Sequence, residues 1–221
     1  MSNTTISLVD VQHDVGGDPG ESVRLVTSRG TIACRYHPAD GGDAAVLWVF
    51  GAGGGLGGPA GGIYTRLGTR LTARGTASLE LAYRQPGRLT ECVLDVLIGL
   101  AWLKASGRTR VILVGHSFGS AVVLNAAAAS PAVIAVAALS SQTPGVGDIA
   151  RLSPRPLFFA HGEADEILPP ACSRQLHARA AEPKRLVLYP GCLHGLDHCR
   201  EQLDIDLTSW IEECFALEAS R

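Results

Sequence analysis

Aromatic residues are scarce in this chain of 221 residues, at 5%, and methionine occurs once. Long hydrophobic runs are missing too. The longest, such as residues 132–139, is far too short to cross a bilayer, which excludes a membrane-spanning helix. No charge dominates: 19 Lys and Arg stand against 21 Asp and Glu, a net charge of −2. Without a basic block or stripe, nothing points to nucleic acid or an anionic membrane as partner. The six cysteines show no C-x-x-C spacing. Residues 1–18 are polar and partly acidic, without the basic start and apolar core of a secretory leader. Together these predict six reduced thiols in a cytoplasmic protein. Repeats, linkers and low-complexity tails are also lacking. One domain over residues 1–221 is expected, large enough to bury about 70% of its unfolded surface.

What the chain does have is a short apolar strand running into a helix. Residues 111–114 (Val-Ile-Leu-Val) form a β-branched run of the buried parallel kind, and Val122, Val123 and Ala126 suit one buried helical face. Between them lies Gly115-His116-Ser117-Phe118-Gly119, a G-x-S-x-G pattern. In that pattern a serine sits on a sharp strand-to-helix turn where close backbone approach excludes a Cβ. The N-terminus of the following helix favours negative charge developing at the serine.

The rest of the chain supplies a frame for that turn. Residues 7–11, 22–27 and 31–36 read as antiparallel strands, with turns at 16–20 and 29–30. Residues 45–50 form a continuous apolar strand, followed by a glycine-rich loop (51–62) and a helix (63–74). Strands at 76–81, 111–114, 133–139, 156–160 and 185–188 then alternate with helices at 89–105, 117–129, 170–181 and 201–217. Such alternation predicts an α/β fold with a mostly parallel central sheet and helices on both faces. Ligand sites in these sheets lie beyond the carboxyl ends of the strands.

Two further residues fall at such ends. Asp165 follows strand 156–160 in His161-Gly162-Glu163-Ala164-Asp165, and His194 follows strand 185–188 in Pro190-Gly191-Cys192-Leu193-His194. Ser117, Asp165 and His194 thus occur in the order serine, acid, histidine at three strand ends. The chemistry requires these types. A serine hydroxyl is a poor nucleophile until a base takes its proton, neutral imidazole titrates near working pH, and a carboxylate fixes the ring and stabilises the imidazolium. Two backbone N–H groups must face the oxyanion. Phe118, after the nucleophile, is expected to give one and Ala52 the other, with Gly53 as its rival.

On Gly51-Ala52-Gly53-Gly54, Gly115-His116-Ser117-Phe118-Gly119, His161-Gly162-Glu163-Ala164-Asp165 and His194-Gly195, the chain resembles the α/β-hydrolases. Among them it is most similar to small, lidless, dienelactone-hydrolase-like serine hydrolases, over about residues 22–217. The resemblance implies the α/β-hydrolase fold, the triad Ser117, Asp165 and His194, and no cofactor. It also favours Asp165 over the nearby Glu163 and Glu166 as the acid. The pattern departs in two places. Phe50 stands where many relatives have histidine, and Ser117 stands where dienelactone hydrolases proper have cysteine. Relatives often carry a lid after the strand following the nucleophile helix. Residues 140–155 are too few for a cap domain, which implies an open or shallow site and argues against a lipase working at an interface.

Other residues suit plainer roles. Strand alternation predicts that His116 points away from Ser117, and His161 is expected to make a local hydrogen bond. Two cysteines and two histidines within residues 192–199 hint at zinc, but closed sites draw ligand pairs from separate segments. No metal is therefore expected, and Cys192 is placed beside His194. The glycine-rich loop lacks the lysine of a phosphate cradle. Arg84 or Arg88, past strand 76–81, is a candidate for a substrate carboxylate. The sequence thus predicts a hydrolase of an ester, thioester or similar acyl bond in a small-molecule substrate. An acyltransferase or peptidase on the same triad, or a non-catalytic ligand-binding protein of this fold, is the alternative. Oligomeric state leaves no mark in the sequence.

Overall fold

The computed structural model describes residues 5–14 and 20–219. The predicted turn at 16–20 lies, apart from Gly20, outside the described residues. Strands β1 (Leu8–Asp14), β2 (Glu21–Thr27) and β3 (Gly30–His37) pair antiparallel. Strand and helix then alternate: β4 (Ala44–Val49), α1 (Pro59–Thr72), β5 (Ala77–Ala82), α2 (Leu89–Ala105) and β6 (Arg110–His116). These are followed by α3 (Phe118–Ala129), β7 (Val133–Leu139), β8 (Leu157–Gly162), α4 (Ala171–Arg179), β9 (Lys184–Tyr189) and α5 (Arg200–Ala219). Among the described residues, nine strands join one sheet in the order β1-β2-β3-β5-β4-β6-β7-β8-β9. The segment from β5 to β9 is parallel throughout.

The central strands are apolar on both faces because both are covered. Leu47, Val49 and Leu113 pack with α2, α3 and α4 in one core. Val46, Trp48, Ile112 and Val114, their neighbours in alternation, pack with α1 and α5 in the other. Truncating a buried residue such as Leu113 to alanine costs about 2–5 kcal/mol. One polar group inside is satisfied locally: Trp48 Nε1 donates to Ser78 Oγ at 2.7 Å.

Connectivity places the site. From β4 the chain passes through α1 to β5 on one side, then through α2 to β6 on the other. That reversal opens a crevice beyond the carboxyl ends of β4 and β6, the usual ligand position in an open α/β sheet. The glycine-rich segment leaves β4 there, and Ser117 leaves β6. The link from β7 to β8 contains only a short 3-10 turn (Ile149–Leu152), so among the described residues that link carries no cap over the crevice.

Element ends differ from the sequence reading by one to four residues, and two of these differences bear on the crevice. α1 opens at Pro59, but Ala60, Gly61 and Gly62 are left-handed (φ 51, 60 and 85°), so regular right-handed helix starts only at Ile63. β8 runs two residues further than its apolar run, pairing His161 with Leu188 and Gly162 with Tyr189. Gly162 allows this, because a Cβ there would lie 2.2 Å from the Cys192 carbonyl oxygen.

Candidate active site

Ser117 occupies the turn between β6 and α3 with φ 57° and ψ −121°, a left-handed backbone seldom adopted by a residue with a side chain. Backbone crowding forces the turn. A Cβ on Gly115 would lie 2.3 Å from the Gly119 carbonyl oxygen, and one on Gly119 would lie 2.3 Å from that of Phe50. The Ser117 N–H donates to the Leu139 carbonyl at 2.8 Å, tying the turn to β7. Phe118 is the first residue of α3, so its N–H has no acceptor within the helix.

Asp165 and His194 meet directly. His194 Nδ1 donates to Asp165 Oδ2 at 2.7 Å, which leaves Nε2 as the basic nitrogen. Asp165 Oδ1 accepts the N–H groups of Ile167 and Leu168, each at 2.8 Å. His161 Nε2 approaches Oδ2 at 3.0 Å. Burial opposes ionisation of Asp165, but the Leu168 N–H, His194 and the Ile167 N–H outweigh it and hold the carboxyl below its ordinary range. The backbone of His194 is fixed equally firmly. Its carbonyl accepts from His116 Nε2 and Ser140 Oγ, both at 3.0 Å, and its N–H donates to Glu166 Oε2 at 3.2 Å.

The glycine-rich segment completes the crevice. Gly54 N–H closes a turn onto the Gly51 carbonyl at 3.0 Å. The Tyr64 and Tyr83 hydroxyls hold the carbonyls of Val49 and Phe50 at 2.9 and 3.2 Å. A cavity of about 190 Å³ results, lined by Phe50, Gly51, Ala52, Gly53, Gly54, His116, Ser117 and His194. Ser117 and His194 therefore face one space, with Ala52 and Gly53 on its wall. Two roomier surface hollows, of about 360 and 470 Å³, are lined by no serine–histidine pair.

Several expectations need correction. His116 does not point away: its ring lines the cavity, 4.8 Å from that of His194. Alternation misleads here because the backbone leaves strand geometry at Ser117. Burial lowers the His116 pKa to about 4, and its Nδ1 has no partner among the described residues. His161 does bond locally, to Ser173 Oγ at 2.7 Å and the Leu168 carbonyl at 3.1 Å, but it also contacts Asp165. Arg84 is not available to a substrate. Its side chain is 4% exposed, paired with Asp95 and Glu91, and donates to the Arg29 carbonyl. Arg88 is exposed and outside the cavity lining. Glu163 pairs with Arg174 instead of His194.

The cysteines differ as well. Cys192 and Cys199 form a disulfide, because a left-handed turn at Leu196 (φ 59°) brings their Cα atoms to 5.8 Å. Cys192 is buried and does not line the cavity. The bond consumes both thiols of the zinc-like cluster, and no metal-binding cluster occurs among the described residues. Six reduced thiols therefore no longer argue for a reducing compartment. No helix among the described residues is long and apolar enough to cross a membrane.

Sheet order, turn and helices together define the α/β-hydrolase fold. Comparison with known proteins agrees. A protein of unknown function from Agrobacterium tumefaciens, described as a candidate α/β hydrolase, superposes with a TM-score of 0.74 at 19% identity, over 89% of this chain and 97% of that one. The esterase domain of a Rhodothermus marinus protein superposes at 0.66 and 21% identity, over 93% and 97%. In sequence, the uncharacterized protein YfhR of Escherichia coli is 34% identical over 112 residues, a match spanning 38% of this chain and 38% of that protein. No family model matches.

Proposed function

We propose that this protein is a serine hydrolase acting on an ester, thioester or similarly activated acyl bond of a small to medium substrate. One observation carries the reading: His194 is hydrogen-bonded to a buried Asp165 and shares a small cavity with Ser117. In the proposed cycle Ser117 Oγ attacks the carbonyl carbon while its proton passes to His194 Nε2. The Phe118 and Ala52 N–H groups bind the oxyanion. The leaving oxygen or sulfur departs with the proton from His194, and an acyl group remains on Ser117. Water then attacks that acyl group, giving its proton to His194, and Ser117 Oγ takes the proton back as the acid leaves.

The esterase and α/β-hydrolase descriptions of the structural neighbours support this class of chemistry. The cavity wall carries no arginine or lysine, which favours an acyl group uncharged near its carbonyl. Turnover of p-nitrophenyl acetate and p-nitrophenyl butyrate tests the reading. Release of nitrophenolate by the wild type and not by Ser117→Ala is expected. Equal rates for the two proteins would overturn it.

A further inference from the structure

A buried carboxylate that this chemistry leaves unused lies behind the glycine-rich segment. Gly54, Gly55, Gly57 and Gly58 all adopt left-handed backbone, with φ of 68, 99, 91 and 77°. Glycine takes these angles without strain but loses the most conformational freedom when fixed, so such a segment keeps one shape only if it is tied. One tie comes from Glu80 on β5. Leu79 and Leu81 face one core, while Ser78 and Glu80 face α1 on the other side of the strand. The Glu80 side chain is 1% exposed, and its Oε2 accepts the Gly57 N–H at 2.6 Å. A carboxylate acceptor makes such a bond about twice as strong as a neutral one would. Gly57 is held from its other side too, its carbonyl accepting the Tyr64 N–H at 3.0 Å.

The surroundings keep Glu80 in one position. Thr65 Oγ1 donates to Oε1 at 2.7 Å, Arg35 Nη1 lies 3.3 and 3.4 Å from the two oxygens, and His37 Nε2 stands 3.6 Å away. Burial works against the charge, but His37, the Thr65 hydroxyl and the Gly57 N–H more than offset it and hold the carboxyl below its ordinary range.

We propose that Glu80 is a positioning residue: through Gly57 it fixes the glycine-rich segment so that the N–H at Ala52 is preset for the oxyanion. The role rests on the hydrolase reading above. Oxyanion donors act only in the transition state, so a loosened segment lowers kcat and leaves KM unchanged. A purely structural role would move the melting temperature alone.

The test compares wild type, Glu80→Gln and Thr65→Val for p-nitrophenyl acetate kinetics and for inhibition by an aryl trifluoromethyl ketone, whose hemiketal oxygen needs the same donors. Melting temperature and Ser117 labelling by a fluorophosphonate are read alongside. Glu80→Gln is expected to lower kcat about tenfold at constant KM and to weaken ketone binding by a similar factor. Thr65→Val, which keeps the carboxylate but frees it to turn, is expected to do the same by about threefold. A folded Glu80→Gln protein with wild-type kcat and ketone affinity, while wild-type Ser117 labels, would overturn the positioning role alone. If Glu80→Gln does not fold, Thr65→Val decides by the same two readouts. Failure of wild-type Ser117 to label would overturn the hydrolase reading and this role with it.

Discussion

Around Ser117 the backbone is held mainly by close backbone packing: Gly115 abuts Gly119, Gly119 abuts Phe50 just past β4, and one N–H bond ties the turn to Leu139 of β7. Around His194 the ties come from far along the chain. His116 and Ser140 reach its carbonyl, Glu166 its N–H and Asp165 its ring, while Ala60 N–H reaches the Gly195 carbonyl at 2.7 Å. The Cys192–Cys199 disulfide encloses the whole turn. A turn set by close backbone packing has one geometry or none. A loop hung from side chains tolerates the loss of any single tie with a graded penalty.

His194→Ala is expected to lower kcat by about 10⁴-fold, with the melting temperature little changed because the ring is not core. Loss of both together would mean that the ring is a packing element. Next comes the serine turn. Gly119→Ala would gain about 1 kcal/mol from helix propensity, yet its Cβ must enter the Phe50 carbonyl. A net loss of about 3 kcal/mol or more is expected in urea unfolding, and a neutral result would show that the turn can relax.

Acid sharpens the contrast from the histidine side. An unfolded histidine titrates near 6.5, but folded His116 resists protonation down to about 4. Between those values the unfolded state binds more protons, so stability falls as pH drops from 6.5 to 4, by roughly 3 kcal/mol. Buried His161 acts in the same direction. Asp165, held low, adds its loss only further down, as pH falls below the ordinary carboxylate range. Urea titrations at pH 7 and 4.5 should show the decline, and His116→Gln should flatten it. The smallest effect belongs to the disulfide. Cys192→Ser opens a short loop and is expected to cost about 2–3 kcal/mol, with activity reduced but present. Abolished activity in a folded Cys192→Ser protein would show that the bond, not the hydrogen bonds, fixes His194.

The same contrast explains what the sequence revealed. The serine turn lies in five consecutive residues whose steric logic is local, so Ser117 and its strand and helix were readable. The α/β alternation was readable for the same reason, since each strand's burial on both faces shows as an apolar run. Asp165 was set apart from Glu163 and Glu166 by the family resemblance alone; in the structure Asp165 meets the His194 ring, Glu166 only its backbone N–H, and Glu163 pairs with Arg174. Glu80 gave no signal, being the one charge in a mostly apolar strand, with its partners Gly57, Thr65 and Arg35 up to 45 positions away. The contacts of Ser140 and His116 with the His194 carbonyl gave no signal either, because that meeting is set by tertiary packing. The disulfide escaped because a separation of 7 matches no redox spacing and the pairing depends on a left-handed turn at Leu196.

The most direct measurement is intact mass after exposure to a fluorophosphonate, for wild type, Ser117→Ala and His194→Ala. One phosphonyl adduct on the wild type is predicted, absent from Ser117→Ala and formed far more slowly by His194→Ala. An unmodified wild-type protein that is folded, or an adduct that persists in Ser117→Ala, would contradict Ser117 and His194 acting as one nucleophilic unit.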